Sequence, residues 1–260
     1  MLFPEATVSK HGYFCWYDLS TTDIGAASAF YTGVMGWKIG PWGNEPGKMP
    51  YAHMETAQGQ MGGITLLQEQ AKAMGAPPNW MGYVCVDDVD ATAAKAVARG
   101  GKLYVAMDIA GTGRIAVIAD PDGAAIALYK PLHDEPLHDA SQPGEFNWRE
   151  LMTSDNKVAF TFYEALFGWQ KLGEMDMGPM GTYLLFGLGD KQLGGMMNRP
   201  KEMPVSAWAY YVMIADLDAA LAKATATGAQ LMNGPMPVPG GARVVQMRDP
   251  QGAFFALVGM

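Results

Sequence analysis

A chain of 260 residues, 49% hydrophobic and 17% charged, carries apolar side chains enough for two ordinary cores and too few charges for a disordered polymer. Its net charge of -8 excludes a sequence-independent nucleic-acid binder, which needs a basic surface. No long uncharged apolar run occurs, so no membrane span is expected, and the opening MLFPEATVSKHGYF lacks the basic head and apolar stretch of a secretory signal.

In chain order, residues 14–19 (Phe-Cys-Trp-Tyr-Asp-Leu) read as an aromatic-rich strand. Thr22 or Asp23 then caps a helix carrying Ala26, Ala27, Ala29, Phe30, Tyr31 and Val34, which ends at Gly36. Strand-like pieces follow at 38–39, 51–56 and 63–67. The theme restarts with an apolar strand at 83–86. Asp87, Asp88 or Asp90 caps an Ala-rich helix over 91–98, and Gly100-Gly101 stops it. Strands at 102–107, 114–119 and 124–129 complete the unit, the last two joined by the turn Asp120-Pro121-Asp122-Gly123.

The second half copies the first. Trp16, Asp23, Phe30, Tyr31, Gly36, Trp37, Tyr51, Gly62 and Gly63 recur as Trp148, Asp155, Phe162, Tyr163, Gly168, Trp169, Tyr183, Gly194 and Gly195, each 132 positions later. So many matches at one offset mark an internal duplication. Tyr83 answers to Tyr211 at an offset of 128, and Arg114 and Asp120 answer to Arg243 and Asp249 at 129, a drift that loop deletions explain. Between the copies, PLHDEPLHDASQP (131–143) is proline- and charge-rich like a linker, which sets units at 8–130 and 144–260. Each unit holds two βαβββ modules. A four-stranded module leaves an apolar face and two edges uncovered, so two modules are expected to curl into one partly open eight-stranded cup with helices outside, an α+β architecture.

The strand–Asp–helix pattern with Phe30-Tyr31 and Gly36-Trp37, then Val86-Asp87-Asp88-Val89-Asp90, then Asp120-Pro121-Asp122-Gly123, resembles the vicinal oxygen chelate superfamily of glyoxalases, bleomycin resistance proteins and extradiol dioxygenases. The resemblance covers nearly the whole chain, once per half, and is similar in detail to the tandem two-domain glyoxalase-like branch. It implies two glyoxalase-like domains and, in each cup, a divalent metal held by His, Gln or Glu. The positions it makes the usual ligands are Trp16, Met81 and Ala127 in the first half and Trp148, Ala209 and Ala256 in the second. None of these is a credible ligand for such a metal, so no metal or other cofactor is expected at the usual site, and a divalent metal would need a displaced one.

Side chains alternate along a strand, so Trp16 shares a face with Asp18, and Trp148 with Glu150. A carboxyl group beside an indole can act as acid or base, or it can hold loop backbone or an arginine. The twins Arg114 and Arg243 either bind an anionic ligand or pair with those carboxylates. Trp80 and Trp208 either stack on a planar ligand or close the barrel end. His53 and Glu55 share a strand face with Tyr51, but their twins are Leu185 and Gly187, so only the first half has a His near Asp18. His133 and His138 read as residues of a solvated linker. Cys15 and Cys85 read as unbridged buried thiols of a cytoplasmic protein, and the many Met residues as core filler.

The favoured function is binding of a small planar or anionic metabolite or toxin in an aromatic-lined cup. The alternative is a lyase or dioxygenase-like enzyme that works from Asp18 or Glu150, or from a displaced metal at His53 and Glu55. A scaffold, in which duplication merely replaces a homodimer, is the third class. The expected assembly is a monomer or homodimer with a small-molecule ligand and no nucleic-acid or membrane partner.

Overall fold

A computed structural model describes residues 9–43, 49–73, 75–133 and 136–260. The expected start of the first unit at residue 8, most of the opening segment and linker positions 134 and 135 lie outside the described residues. The first half runs β1 (Phe14–Thr21), α1 (Ile24–Met35), β2 (Lys38–Ile39), β3 (Tyr51–Thr56), β4 (Gly59–Leu66), the short α2 (Glu69–Ala73), β5 (Asn79–Cys85), α3 (Val89–Ala98), β6 (Lys102–Ile109), β7 (Gly113–Ala119) and β8 (Ala125–Pro131). The second half runs β9 (Phe146–Thr153), α4 (Asn156–Phe167), β10 (Gln170–Asp176), β11 (Thr182–Leu188), β12 (Lys191–Asn198), β13 (Ala207–Ile214), α5 (Leu217–Ala226), β14 (Gln230–Pro237), β15 (Arg243–Arg248) and β16 (Phe254–Gly259). Among the described residues, no helix is long and apolar enough to cross a membrane.

Local chemistry sets the helix ends. Asp23, rather than Thr22, caps α1 by accepting from the Ala26 N–H at 2.9 Å, and Asp88 caps α3 through the Ala91 N–H at the same distance. Helix α3 therefore opens at Val89, two residues before the expected start. Helix α2 buries none of its residues, so it left no apolar period to detect.

The strands form two open sheets, ordered β2-β3-β4-β1-β5-β8-β7-β6 and β10-β11-β12-β9-β13-β16-β15-β14. Each sheet is two βαβββ modules joined where β1 runs antiparallel to β5, or β9 to β13. Within a module the first and last strands are parallel, β1 with β4 and β5 with β8, so the helix serves as crossover. The repeated Gly-Gly pair belongs to this geometry. A methyl group on Gly62 would lie 2.0 Å from the Tyr17 carbonyl oxygen of the neighbouring strand, and one on Gly63 would lie 2.0 Å from Cζ of Tyr51. Gly194 and Gly195 meet Arg149 O and the Tyr183 ring in the same way. The first glycine lets strands pack; the second lets a tyrosine lie flat across the sheet.

One apolar core joins the helix-bearing faces of both sheets, and it is built on a pseudo-two-fold axis. Trp37 donates its indole N–H to Gly144 O, and its twin Trp169 donates to Gly12 O, both at 2.7 Å. Trp80 donates to the Tyr31 hydroxyl, which donates to Asp249 of the opposite half. Trp208, Tyr163 and Asp120 repeat that chain in reverse. The Asp-Pro turns thus end as buried carboxylates, satisfied by their own loop N–H groups and by a tyrosine from the other half. At the axis a residue meets its own twin, and there the copies differ. Arg149, buried beside Phe14 and Tyr17, donates through Nε to the Tyr17 hydroxyl at 2.7 Å and through Nη2 to the same oxygen. Gly82 leaves room for the ring of its twin, Tyr210: a methyl group there would lie 2.5 Å from Cε1.

A candidate ligand cup beside Asp18

On the face of each sheet away from that core stands a carboxyl group held by tyrosines. In the first cup, Asp18 Oδ1 accepts from the Tyr51 hydroxyl at 2.6 Å and the Trp16 indole N–H at 3.0 Å, while Oδ2 accepts from the Tyr83 hydroxyl at 2.7 Å. In the second, Glu150 Oε2 accepts from Tyr183 and Oε1 from Tyr211, each at 2.9 Å. Trp148 donates to the Tyr183 hydroxyl, and Gln246 to that of Tyr211. Strands β1, β3 and β5 supply the carboxyl group and its tyrosines in one half and β9, β11 and β13 in the other, where β15 adds Gln246. The second glycine of each pair supports the β3 or β11 tyrosine, which seats its hydroxyl on the carboxylate.

Burial pushes the carboxyl groups of Asp18 and Glu150 above the ordinary range; the tyrosine hydrogen bonds, and for Asp18 the Trp16 N–H and nearby His53, oppose the shift. Burial first, and then the adjacent carboxylate, also raises Tyr51, Tyr83, Tyr183 and Tyr211, so all four stay protonated donors. A stability effect follows. Glu150 in the folded chain holds its proton above the ordinary 4.5, so its contribution is complete in acid and is lost as pH rises through the raised value. Glu150→Gln keeps one acceptor and removes that loss. Its melting temperature relative to wild type is expected to climb between pH 4 and pH 8, by about 2–4 °C for each kcal/mol gained. A flat difference over that range in thermal melts would contradict it.

The two cups differ in access. Glu150 is only 8% exposed, beneath a buried apolar cluster of Ala209, Tyr211, Val244, Ala256 and Val258, against which Trp148 and Met236 pack. Asp18, Trp16, Tyr51, Tyr83 and Met81 all remain partly accessible, and His53 is exposed. The His53 ring stands edge-on to Tyr51 at 5.1 Å and to Trp16 at 6.2 Å. Glu55 lies further along β3, where Gln60 reaches it at 3.4 Å.

The remaining candidates sit elsewhere. Trp80 pairs in register with the buried Leu19 and so faces the core, where it and Trp208 donate to Tyr31 and Tyr163. Arg114 is engaged by Asp90 at 2.7 Å and Asp108 at 3.1 Å, and Arg243 by Asp218 at 2.9 Å; those partners stand near the helix starts of α3 and α5 or on β6. Neither arginine pairs with Asp18 or Glu150. His138 is docked rather than solvated, its Nδ1 lying 3.0 Å from Oε2 of the buried Glu145. Tyr83 and Tyr211 complete the carboxylate sites, and their recurrence as twins is the only sign of them in the sequence.

At the positions to which the resemblance assigns the usual ligands, Trp16, Met81 and Ala127 carry an indole, a thioether and a methyl group, and Trp148, Ala209 and Ala256 an indole and two methyl groups. The Asp18 carboxylate at the floor of the first cup is surrounded by hydrogen-bond donors that a metal ion would have to displace. Among the described residues, no group of three His, Cys, Asp or Glu side chains is placed to hold a metal. This donor set does not fit the superfamily's metal.

Two tandem open sheets of βαβββ modules define the class, and the sequence agrees: the profile of the Glyoxalase/Bleomycin resistance protein/Dioxygenase superfamily matches residues 14–128 and again 145–257. The chain belongs to that superfamily. It is 34% identical over 256 residues to CFP32 of Mycobacterium tuberculosis, a protein provisionally named a glyoxylase, covering 98% of this chain and 97% of that one. It is 30% identical over 260 residues to the anthracycline biosynthesis protein DnrV of Streptomyces peucetius, covering 94% and 91%. The fold matches a Mn(II)-bound glyoxalase from Novosphingobium aromaticivorans with a TM-score of 0.65 at 15% identity, over 97% of this chain and 83% of that one. The 2,3-dioxygenase LapB from Pseudomonas sp. KL28 matches with the same score at 12% identity, over 97% and 94%.

Proposed function

We propose that the protein binds a small planar molecule in its first cup, anchored by Asp18, without the superfamily's usual metal. Its two units, 8–130 and 144–260 about the linker 131–143, then divide the work: the first receives the ligand, the second acts as scaffold. The observation that carries this reading is the difference between twin carboxyl groups, Asp18 partly accessible among partly accessible aromatic rings and Glu150 8% exposed beside an apolar cluster and two buried tyrosines. Trp16 and the tyrosines supply flat faces for a ring system. Kinship with a protein named for anthracycline biosynthesis agrees with a fused-ring ligand. On this reading the protein acts in the cytoplasm, as monomer or homodimer. Metal-free protein titrated with planar metabolites is expected to give saturable quenching of Trp fluorescence and a rise in melting temperature, both lost in Asp18→Asn. Silence across a broad panel at millimolar concentration would count decisively against the reading.

The raised Asp18 carboxyl favours a second reading, acid–base catalysis in the same cup. In that case Asp18→Asn abolishes turnover of a bound compound while leaving its Kd intact. Stoichiometric metal that survives dialysis and disappears in His53→Ala would instead favour a displaced metal centre.

A further inference from the structure

The first-cup reading leaves the charge of the ligand open, and the surroundings of Asp18 close it. A carboxylate offers about four acceptor positions; Tyr51 and Tyr83 fill two, and Trp16, which shares its N–H between Asp18 Oδ1 at 3.0 Å and the Tyr51 hydroxyl at 2.8 Å, approaches a third. The unused position is on Oδ2, which accepts from Tyr83 alone. Among the described residues, no Lys or Arg pairs with Asp18; the first half's Arg114 is held by Asp90 and Asp108. Asp18 is therefore a carboxylate among aromatic rings with donors but no lysine or arginine partner, the exposed His53 at the rim being the one basic side chain beside it among the described residues, and burial of such a group favours arrival of a cation. The walls suit a cation as well. The rings of Trp16, Tyr51 and Tyr83 surround the carboxylate, Tyr129 stands edge-on to Tyr83 at 6.3 Å, and aromatic faces attract positive charge. An anionic ligand would meet the carboxylate with no arginine to receive it. The chain's net charge of -8 also favours approach of cations over anions.

We infer that the first cup selects an organic cation, a planar compound bearing a protonated amine, whose N–H donates to Asp18 Oδ2 while its ring lies against Trp16 and the tyrosines. This rests on the first-cup reading above, and the test separates the two. Three probes share one ring system: 2-naphthylmethylamine as the cation, 2-naphthylmethanol as the neutral isostere and 2-naphthoate as the anion. Each is titrated into the full chain at pH 7, with binding read by calorimetry and Trp fluorescence. The amine is expected to bind about tenfold or more tighter than the alcohol, with the carboxylate weakest. Asp18→Asn is expected to bring the amine down to the affinity of the alcohol. The wild-type order needs no variant, so a poorly folded Asp18→Asn would not rescue a wrong order. Tyr83→Phe, which frees a second position on Oδ2, is expected to retain or strengthen the amine preference. If alcohol or carboxylate binds as tightly as the amine, the cation inference is overturned while the cup reading stands. If none of the three binds at millimolar concentration, both are overturned.

Discussion

Replacing Tyr17 by arginine is expected to cost more than about 4 kcal/mol of stability, because it sets a second guanidinium against Arg149 in a buried site where tyrosine now accepts. Among the described residues, no carboxylate pairs with Arg149; its partners are the Tyr17 hydroxyl and the carbonyls of Phe146 and Asn147. The phenol is suited to this place, since burial pushes its pKa up to about 12 against the opposing pull of Arg149 and it remains a neutral acceptor. The Tyr17 ring also stacks on Phe146 at 3.8 Å, a contact that arginine reproduces poorly. Because positions 17 and 149 are twins facing each other, adding Arg149→Tyr exchanges the pair between the halves. The double variant is expected to recover about 2 kcal/mol or more beyond additivity. Urea unfolding of the three chains measures this directly. A single variant within 1 kcal/mol of wild type, or a double with no recovery, would show that the axis does not discriminate between twins.

The Gly-Gly pair predicts two different failures at adjacent positions. In Gly62→Ala the new methyl group meets the Tyr17 carbonyl at 2.0 Å, and backbone inside a sheet cannot step aside. A loss of about 3 kcal/mol or more is expected, a fall of roughly 6–12 °C in melting temperature. In Gly63→Ala the obstacle is the Tyr51 ring, the movable end of a side chain. The smaller loss of stability there is expected to come with displacement of the Tyr51 hydroxyl from Asp18, and so with weakened ligand binding. Equal stability losses with unchanged binding in both variants would refute the division of labour assigned to the two glycines.

The fold was largely legible because duplication doubles every signal. The 132-residue echo located both halves, and capping aspartates with glycine stops located helices. The site was legible only where one strand's alternation decides it, as for Trp16 with Asp18. Tyr83 reaches Asp18 because β5 pairs with β1 in a given register, a long-range fact that local pattern does not contain. Parity explains the tryptophans: Trp80 and Met81 are adjacent and face opposite ways, and the register with Leu19 assigns Trp80 to the core. The arginines follow the same rule, since Arg114 alternates with Ile115 and so shares the side of the buried Ala116 that packs into the main core. Most of the repeated motif residues, Phe-Tyr, Gly-Trp and Asp-Pro, serve the junction between halves rather than a ligand. They are among the strongest signals in the sequence and say least about function.

The reciprocal tryptophan–tyrosine–aspartate chains carry a consequence for how this lineage can change. Each half lends its tyrosine to an acceptor that the other half owns, so neither inherits a complete interior of its own. Gene duplication ordinarily yields a spare copy that drift can erode. Here each copy depends on the other for its interior, and neither can be eroded without leaving buried groups of its twin unsatisfied. Divergence is therefore channelled to the floors and rims of the cups, where His53 and Leu185, or Asp18 and Glu150, have already parted company.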